Sequence, residues 1–203
     1  MKRTLNLIAC VAFVLTSGTI LAQEMTKVER SKALDHLKST QDQLMKTVVG
    51  LSKEQLNFRS SEDAWSIAQC VEHIAIAETS LFGLVQMTLQ NNPDPSLRDS
   101  VAMSDDQVVG LITSRERKVK TQEELTPRGK FGSYQGSIDE FKSKRASNKA
   151  YLASTKDDLR NRYFDFPFGK VDSYQLILFM SGHTARHTDQ IKEIMASPGF
   201  PGA

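Results

Sequence analysis

The stretch SYQLILFMSGHTARHTDQIKEI, residues 173–194, decides the fold because it predicts a long helix with one inward face. An α-helix has 3.6 residues per turn, so residues three or four apart share a face. The face of this helix contains, in order, Leu176, Met180, His183, His187, Gln190 and Ile194. Pro198-Gly199 lies beyond its end. A long helix with such a face has to bury it against other helices.

Three more segments supply those partners, since apolar residues recur in them at helical spacing. Capping boxes at Ser66 and Ser104 mark two helix starts, the second of them for a shorter helix. We find no convincing strand pattern, and expect Phe166-Pro167-Phe168-Gly169 to form a turn. The sequence therefore predicts an all-α fold, a four-helix bundle with an extra short helix in a long connection. The predicted helices run from Met25 to about Leu51, from Ser66 to Asn91, from Ser104 to about Lys120, from about Ser137 to Asp158, and from Asp172 or Ser173 onward.

Composition excludes several classes of protein. The 203 residues are 39% apolar and 25% charged, an ordinary globular mixture. This excludes a disordered polyelectrolyte, a disulfide-stapled mini-protein and a protein with several membrane spans. The net charge of +2 gives no reason to expect nucleic acid as a partner.

The N-terminus resembles a secretory signal peptide. Lys2 and Arg3 precede the apolar stretch Leu5–Leu15, and the small residue Ala22 stands before Gln23. We expect residues 1–22 to be removed and residues 23–203 to form one domain, which is exported, periplasmic or secreted, and not attached to a membrane. The alternative is an uncleaved anchor, but the apolar part is short for a span of about 20 residues.

Cleavage would also remove both positive charges of the leader and Cys10. The mature chain would then have a net charge of zero and a single cysteine, Cys70. Because one cysteine cannot form an internal disulfide, stability has to come from packing.

The histidines are the main candidates for chemistry. His183 and His187 are four residues apart and point into the bundle, so their ring nitrogens can converge on one metal ion at about 2.0–2.1 Å. From spacing alone, a metal half-site and a structural polar layer stay equally open. His73 lies at the flank of its helix and matters only as a third ligand. His36 lies opposite the apolar face of its helix, so we expect it to be solvated.

Established metal and cofactor motifs are missing from the sequence. It contains no His-Glu-x-x-His and no Glu-x-x-His, which removes the zincin and di-iron bundle interpretations. It also contains no Cys-x-x-Cys, Gly-x-Gly-x-x-Gly or Gly-x-Ser-x-Gly. Zinc-finger, dinucleotide-binding and hydrolase-elbow interpretations therefore lack support.

Two residues near His73 have competing interpretations. Cys70 is either a fourth ligand or reactive thiol, or a small buried apolar residue, and we favour the second. Glu78 falls near the centre of an apolar face, and a buried carboxylate needs a partner. It would orient a histidine, act as a base, or form a salt bridge between helices.

Five other residues are candidates for the surroundings of the site. Gln190 shares the face of the histidine pair and is placed to support a ring. Arg186 could pair with Glu78 or another acid. Arg145 and Asn148 occupy core positions, where they would hold an anionic substrate or form an internal polar layer. We expect Trp65 to pack at a helix start rather than to stack on a substrate.

Several motifs together resemble the DinB-like (DinB/YfiT) superfamily. They are GLSKEQLNFR at 50–59, AWSIAQ at 64–69, VEHIA at 71–75, FPFG at 166–169 and HTARHTDQI at 183–191. The resemblance implies a four-helix bundle that holds one divalent metal ion, such as nickel, zinc or iron, through His73, His183 and His187. It also implies that homodimers are common. Members include thiol-dependent S-transferases, a maleylpyruvate isomerase and metal-dependent hydrolases.

These observations leave three functional hypotheses. The first is an exported metal-dependent hydrolase or transferase with a small-molecule substrate, because three histidines leave coordination positions open. The second is a non-catalytic bundle that binds metal or a small ligand, because no acid, base or nucleophile is identified. The third is a structural histidine layer without metal. An export signal departs from the cytosolic thiol transferases and weakens the case for an intracellular thiol cosubstrate.

Overall fold

The structure, a computed structural model, describes residues 23–116 and 119–202. The predicted signal peptide and Cys10 lie outside these residues. None of the described helices is both long and apolar enough to cross a membrane. The elements are α1 (Lys27–Val48), α2 (Lys53–Asn57), α3 (Ile67–Thr88), α4 (Asp105–Thr113), α5 (Tyr134–Ser154), β1 (Tyr163–Phe166), β2 (Gly169–Asp172) and α6 (Ser173–Met195), with 3₁₀ segments at Pro95–Ser100 and Glu123–Leu125.

Four long helices form the bundle. Helices α1 and α3 each pack against both α5 and α6, which gives the cyclic order α1, α6, α3, α5. The short helix α4 packs on the outside of α6. The predicted all-α four-helix bundle with an extra short helix in a long connection is therefore confirmed.

Side-chain caps decide where the helices begin. Ser66 and Ser104 each accept a hydrogen bond from the third helical N–H, and the glutamine there accepts one in return. Both boxes were expected from the sequence. Thr26 and Asp172 cap α1 and α6 in the same way. Each box satisfies N–H groups that have no partner within the helix.

Helix ends are less well predicted. Helix α4 ends at Thr113, not near Lys120, because Ser114 adopts an extended ψ of 128°. Helix α5 ends at Ser154 rather than Asp158, since Thr155 is also extended and its hydroxyl accepts from the Asp157 N–H. Ser52 caps an additional short helix, α2, which was not expected.

A short hairpin corrects the expectation that the chain has no strands. Strands β1 and β2 pair antiparallel, with Phe166 opposite Gly169 at the expected turn. Gly169 has a φ of +135°, which favours glycine. The hairpin is stabilised by stacking of Phe166 on Phe179 of α6, with ring centroids 5.0 Å apart. Four-residue strands are too short to show an alternating pattern, and their tertiary contacts supply the stability.

A polar layer divides the core of the bundle. One apolar cluster contains Leu37 of α1, Leu81 of α3, Leu152 of α5 and the start of α6. The other contains Leu44, Ile74, Phe141 and Ile191 from the same four helices. Between them lie buried polar side chains from all four long helices, namely Thr40, Glu78, Arg145, Asn148, Ser181, Thr184 and Thr188.

Helix α4 approaches α6 closely because Gly182 has no side chain. A Cβ atom at Gly182 would lie 2.4 Å from Cγ2 of Ile112. The glycine therefore allows α4 to cover α6 beside His183. On α1 not every apolar residue packs in the core, since Val28 is 77% exposed.

Candidate metal centre

Three histidines meet where α3 and α6 pack together. Nε2 of His73 on α3 lies 3.2 Å from Nε2 of His183 and 3.1 Å from Nε2 of His187, both on α6. One ring nitrogen of each histidine lies within 4.8 Å of the other two, so the group could hold a metal ion. In residues 23–116 and 119–202, no cysteine or carboxylate joins this group.

Hydrogen bonds at the opposite ring nitrogens determine the tautomers of two histidines. Nδ1 of His73 lies 2.8 Å from the carbonyl oxygen of Leu125, and Nδ1 of His187 lies 2.7 Å from Oε1 of Gln190. Because these oxygens only accept, each Nδ1 carries the proton and donates it. In the neutral rings, Nε2 of His73 and Nε2 of His187 therefore each carry a lone pair and no proton. These two lone pairs point at each other across 3.1 Å and repel. A cation between them would remove this repulsion.

The spacing of the nitrogens also fits a metal ion. Zinc–imidazole bonds of about 2.0–2.1 Å in a tetrahedral site separate the ligand nitrogens by about 3.3–3.4 Å. The two distances from His73 are 3.2 and 3.1 Å, close to that value. Structural zinc sites have four protein ligands, whereas three leave a position for water or substrate. Three histidines would therefore leave at least one coordination position of such an ion open.

The rings are held neutral, which is the form that binds metal. Burial lowers the pKa of His73, and its hydrogen bond to Leu125 opposes this effect. Burial and the neighbouring His73 lower the pKa of His187 to about 3. The pKa of His183 is also well below its usual value, because of burial and then the other two histidines. No proton has to leave these nitrogens before a metal binds at neutral pH.

Trp65 contacts the histidines directly. Its ring centroid lies 4.8 Å from that of His73 and 6.3 Å from that of His187. It packs at the start of α3 as expected, but that expectation missed its contact with the site. The Leu125 carbonyl was also missed, because the sequence carries no signal for a backbone oxygen from a distant loop. Gln190 was expected to support a ring, and the structure places it against His187.

Glu78 and Arg145 form a buried salt bridge between α3 and α5. Nε and Nη2 of Arg145 each donate to a Glu78 oxygen at 2.7 Å, and Asn148 donates to Glu78 at 2.9 Å. The internal polar layer is therefore what the structure supports for Arg145 and Asn148. Arg145, rather than Arg186, pairs with Glu78. Arg186 is buried on α6.

Two other residues differ in how well they were predicted. Cys70 is buried in the apolar core and does not join the three histidines, and burial raises its pKa to about 12, which fits the favoured interpretation of a small buried apolar residue. The expectation that His36 is solvated was wrong. His36 is half-buried, and its Nδ1 lies 2.7 Å from the Ser181 hydroxyl. The ring of His36 faces α6, where the buried Ser181 hydroxyl provides its hydrogen-bonding partner.

Comparison with known proteins agrees with this architecture. A protein from Bacillus subtilis (strain 168), described as "Uncharacterized protein YuaE", is 28% identical over 147 residues, which cover 71% of this chain and 86% of that protein. The structure of YfiT from Bacillus subtilis, described as a probable metal-dependent hydrolase with an unusual four-helix bundle topology, matches with a TM-score of 0.52 and 16% identity. The match covers 88% of this chain and 93% of that one. The family model of the DinB superfamily matches residues 36–191, well over half of the sequence. The chain belongs to the DinB superfamily.

Proposed function

We propose that this protein binds one divalent metal ion through His73, His183 and His187 and is a metal-dependent hydrolase or transferase of a small molecule. The observation that carries the proposal is the pair of unprotonated Nε2 atoms, 3.1 Å apart, with a third beside them. The family membership and the description of YfiT as a probable metal-dependent hydrolase support it. We propose nickel, zinc or iron as the metal.

The chain's own residues prepare this site. The Leu125 carbonyl and Gln190 orient two rings so that each presents a lone pair. Trp65 packs against the rings of His73 and His187 and covers that side of the group. When bound, a divalent ion with open positions polarises a carbonyl or phosphoryl oxygen and lowers the pKa of water to about 7. The protein contributes fixed, largely buried ligands to that chemistry.

Metal content tests the ligand assignment. Protein comprising residues 23–203 should contain about one divalent ion per chain by elemental analysis, since one three-histidine site supplies the ligands. The variants His73→Ala, His183→Ala and His187→Ala should each lose most of it. His36→Ala is the matched control and should retain it, because His36 bonds to Ser181 away from the group. Full retention by all three ligand variants would contradict the assignment.

Turnover tests whether the site is catalytic. Protein loaded with nickel, zinc or iron should be screened against ester, amide, phosphoester and thiol-transfer substrates. We expect metal-dependent turnover that a chelator and His73→Ala both abolish. One observation favours a non-catalytic metal- or ligand-binding bundle instead: in the described part of the chain, no carboxylate or thiol lies with the three rings. Stoichiometric metal binding without turnover in every class would favour that alternative.

We also propose that the chain is exported after cleavage behind Ala22, that it is periplasmic or secreted, and that it forms a homodimer. The leader pattern supports export, and the resemblance to DinB-like proteins supports the dimer. N-terminal sequencing of protein from its native source should begin at Gln23. Light scattering of the purified protein should give twice the chain mass.

A further inference from the structure

Arg145 of α5 is hydrogen-bonded to the other three long helices of the bundle. It extends from α5 and is fully buried, and its guanidinium has five N–H donors. Three of them serve Glu78 of α3 and the Thr184 hydroxyl of α6, at 2.7, 2.7 and 2.8 Å. The other two serve the Leu37 carbonyl and the Thr40 hydroxyl of α1, at 2.7 and 2.9 Å. Every donor of this side chain is therefore used to join helices.

This arrangement costs free energy that an apolar core would not cost. Taking a carboxylate and a guanidinium out of water carries a desolvation penalty that their attraction often only balances. The pair also divides the core, since apolar clusters lie on both sides of it. Apolar surfaces tolerate small shifts of one helix along another, whereas directed hydrogen bonds do not. Setting the register of helices is the best-attested role of buried polar groups that do not add to stability.

The metal centre is where such a register matters. Thr184 lies on α6 between the two ligands His183 and His187, and Glu78 lies five residues beyond His73 on α3. At a rise of 1.5 Å per residue, Glu78 is about 7.5 Å from His73 along the helix. Arg145 thus connects α3 to α6 through residues that lie within about one and a half helical turns of the ligands on each helix. A slip of one helix by a fraction of a turn would separate the Nε2 atoms.

We propose that Arg145 and Glu78, acting through Thr184, are positioning residues that hold α3 and α6 in the register that the metal site needs. The proposal rests on the proposed function, because it assumes that the three histidines bind metal. It adds a role for three residues that do not touch the metal. Their effect is on where His73 lies relative to the pair on α6.

The test separates positioning from stability with two matched variants. Thr184→Val removes the hydroxyl that receives Arg145 and keeps the size of the side chain. Thr88→Val is the control, because Thr88 is also buried and also links α3 to α6, through Ser173 at 2.6 Å. Both variants should lower Tm, and Thr184→Val should lower it more, because its hydroxyl accepts from a buried guanidinium whereas Thr88 bonds to a neutral hydroxyl. Only Thr184→Val should weaken zinc affinity, by about tenfold, which is the low end of the range for groups bonded directly to a ligand, because Thr184 acts through the helix and not on a ring.

Zinc affinity is measured by competition with a chelating indicator, and the visible absorption of Co²⁺-loaded protein reports the ligand geometry. We expect Thr184→Val to change that spectrum, whereas Thr88→Val and the hydroxyl-retaining Thr184→Ser should leave it unchanged. If Thr184→Val does not fold, Thr184→Ala removes the same hydroxyl without adding bulk.

Each other outcome counts against the proposal. Wild-type zinc affinity in folded Thr184→Val or Thr184→Ala would overturn it and leave the proposed function standing. Equal weakening in Thr88→Val would show a general stability effect and would also overturn it. A wild-type protein that takes up no ion would overturn the proposed function and this inference together.

Discussion

Replacing Glu78 by glutamine should destabilise the protein strongly. The carboxylate is fully buried, and it accepts two hydrogen bonds from Arg145 and one from Asn148. Glutamine has nearly the same shape, but it is neutral and presents an NH₂ group where Arg145 also donates. The Arg145 charge would then remain in the core without its counterion. Its side chain is fully buried and joins all four helices, so the charge could not reach water.

The size of the effect follows from that geometry. Removing one partner of a buried ion pair costs about 3–5 kcal/mol. For a domain of this size, each kcal/mol lowers Tm by about 2–4 °C. We therefore expect Glu78→Gln to lower Tm by about 6–20 °C. Because total stabilities are about 5–15 kcal/mol, the variant should still fold at low temperature.

Thermal unfolding followed by circular dichroism, at low and high salt, measures this effect. The difference between variant and wild type should not depend on salt, because a fully buried pair is screened little. Asp42→Asn makes the same chemical change in the exposed Lys38–Asp42 pair and should leave Tm unchanged. A loss below about 2 °C in Glu78→Gln would refute the reasoning that this charge pair is essential to the core.

Three further predictions concern the site and its surroundings. The folded-state pKa of His187 is about 3, below its usual 6.5, so between these values the unfolded chain binds more protons than the folded one. Metal-free protein should therefore lose stability as pH falls from about 6.5 toward 3. A Tm that stays flat from pH 7.5 to 5 would contradict this. Gln190→Ala should weaken zinc affinity by about 10–100-fold, as measured by indicator competition, because His187 loses its hydrogen-bond acceptor. Cys70, with a pKa of about 12, should resist thiol reagents at pH 8 until denaturant unfolds the chain, and rapid labelling of native protein would argue against its burial.

Local patterns in the sequence predicted the helices well, because their information is local. Capping boxes at Ser66 and Ser104 depend on residues three positions apart, and both are present in the structure. The ends of α4 and α5 were predicted too late, since no glycine or proline marks them and the following backbone simply becomes extended. The hairpin was missed because its stability comes from stacking against Phe179, which is close only in the fold.

For the site, too, spacing along one helix was predictive and packing between helices was not. The i, i+4 spacing placed His183 and His187 on one face, and the resemblance added His73 to them. Helical geometry alone put His73 at a flank and His36 in water, whereas the structure buries the first and half-buries the second. An angle around one helix does not say which neighbours surround it, so the exposure of a flank residue depends on how the helices pack.

By itself, the sequence determined the helices, their inward faces and the histidine pair on α6, because these follow from spacing along one chain segment. Only the tertiary structure decided that Arg145 pairs with Glu78, that Leu125 and Gln190 set the tautomers of two rings, and that His73 lies 3.1 Å from His187. Each of these contacts joins residues from different helices or loops, or depends on a rotamer chosen in the packed core. Their geometry is defined only when the helices have taken up one register.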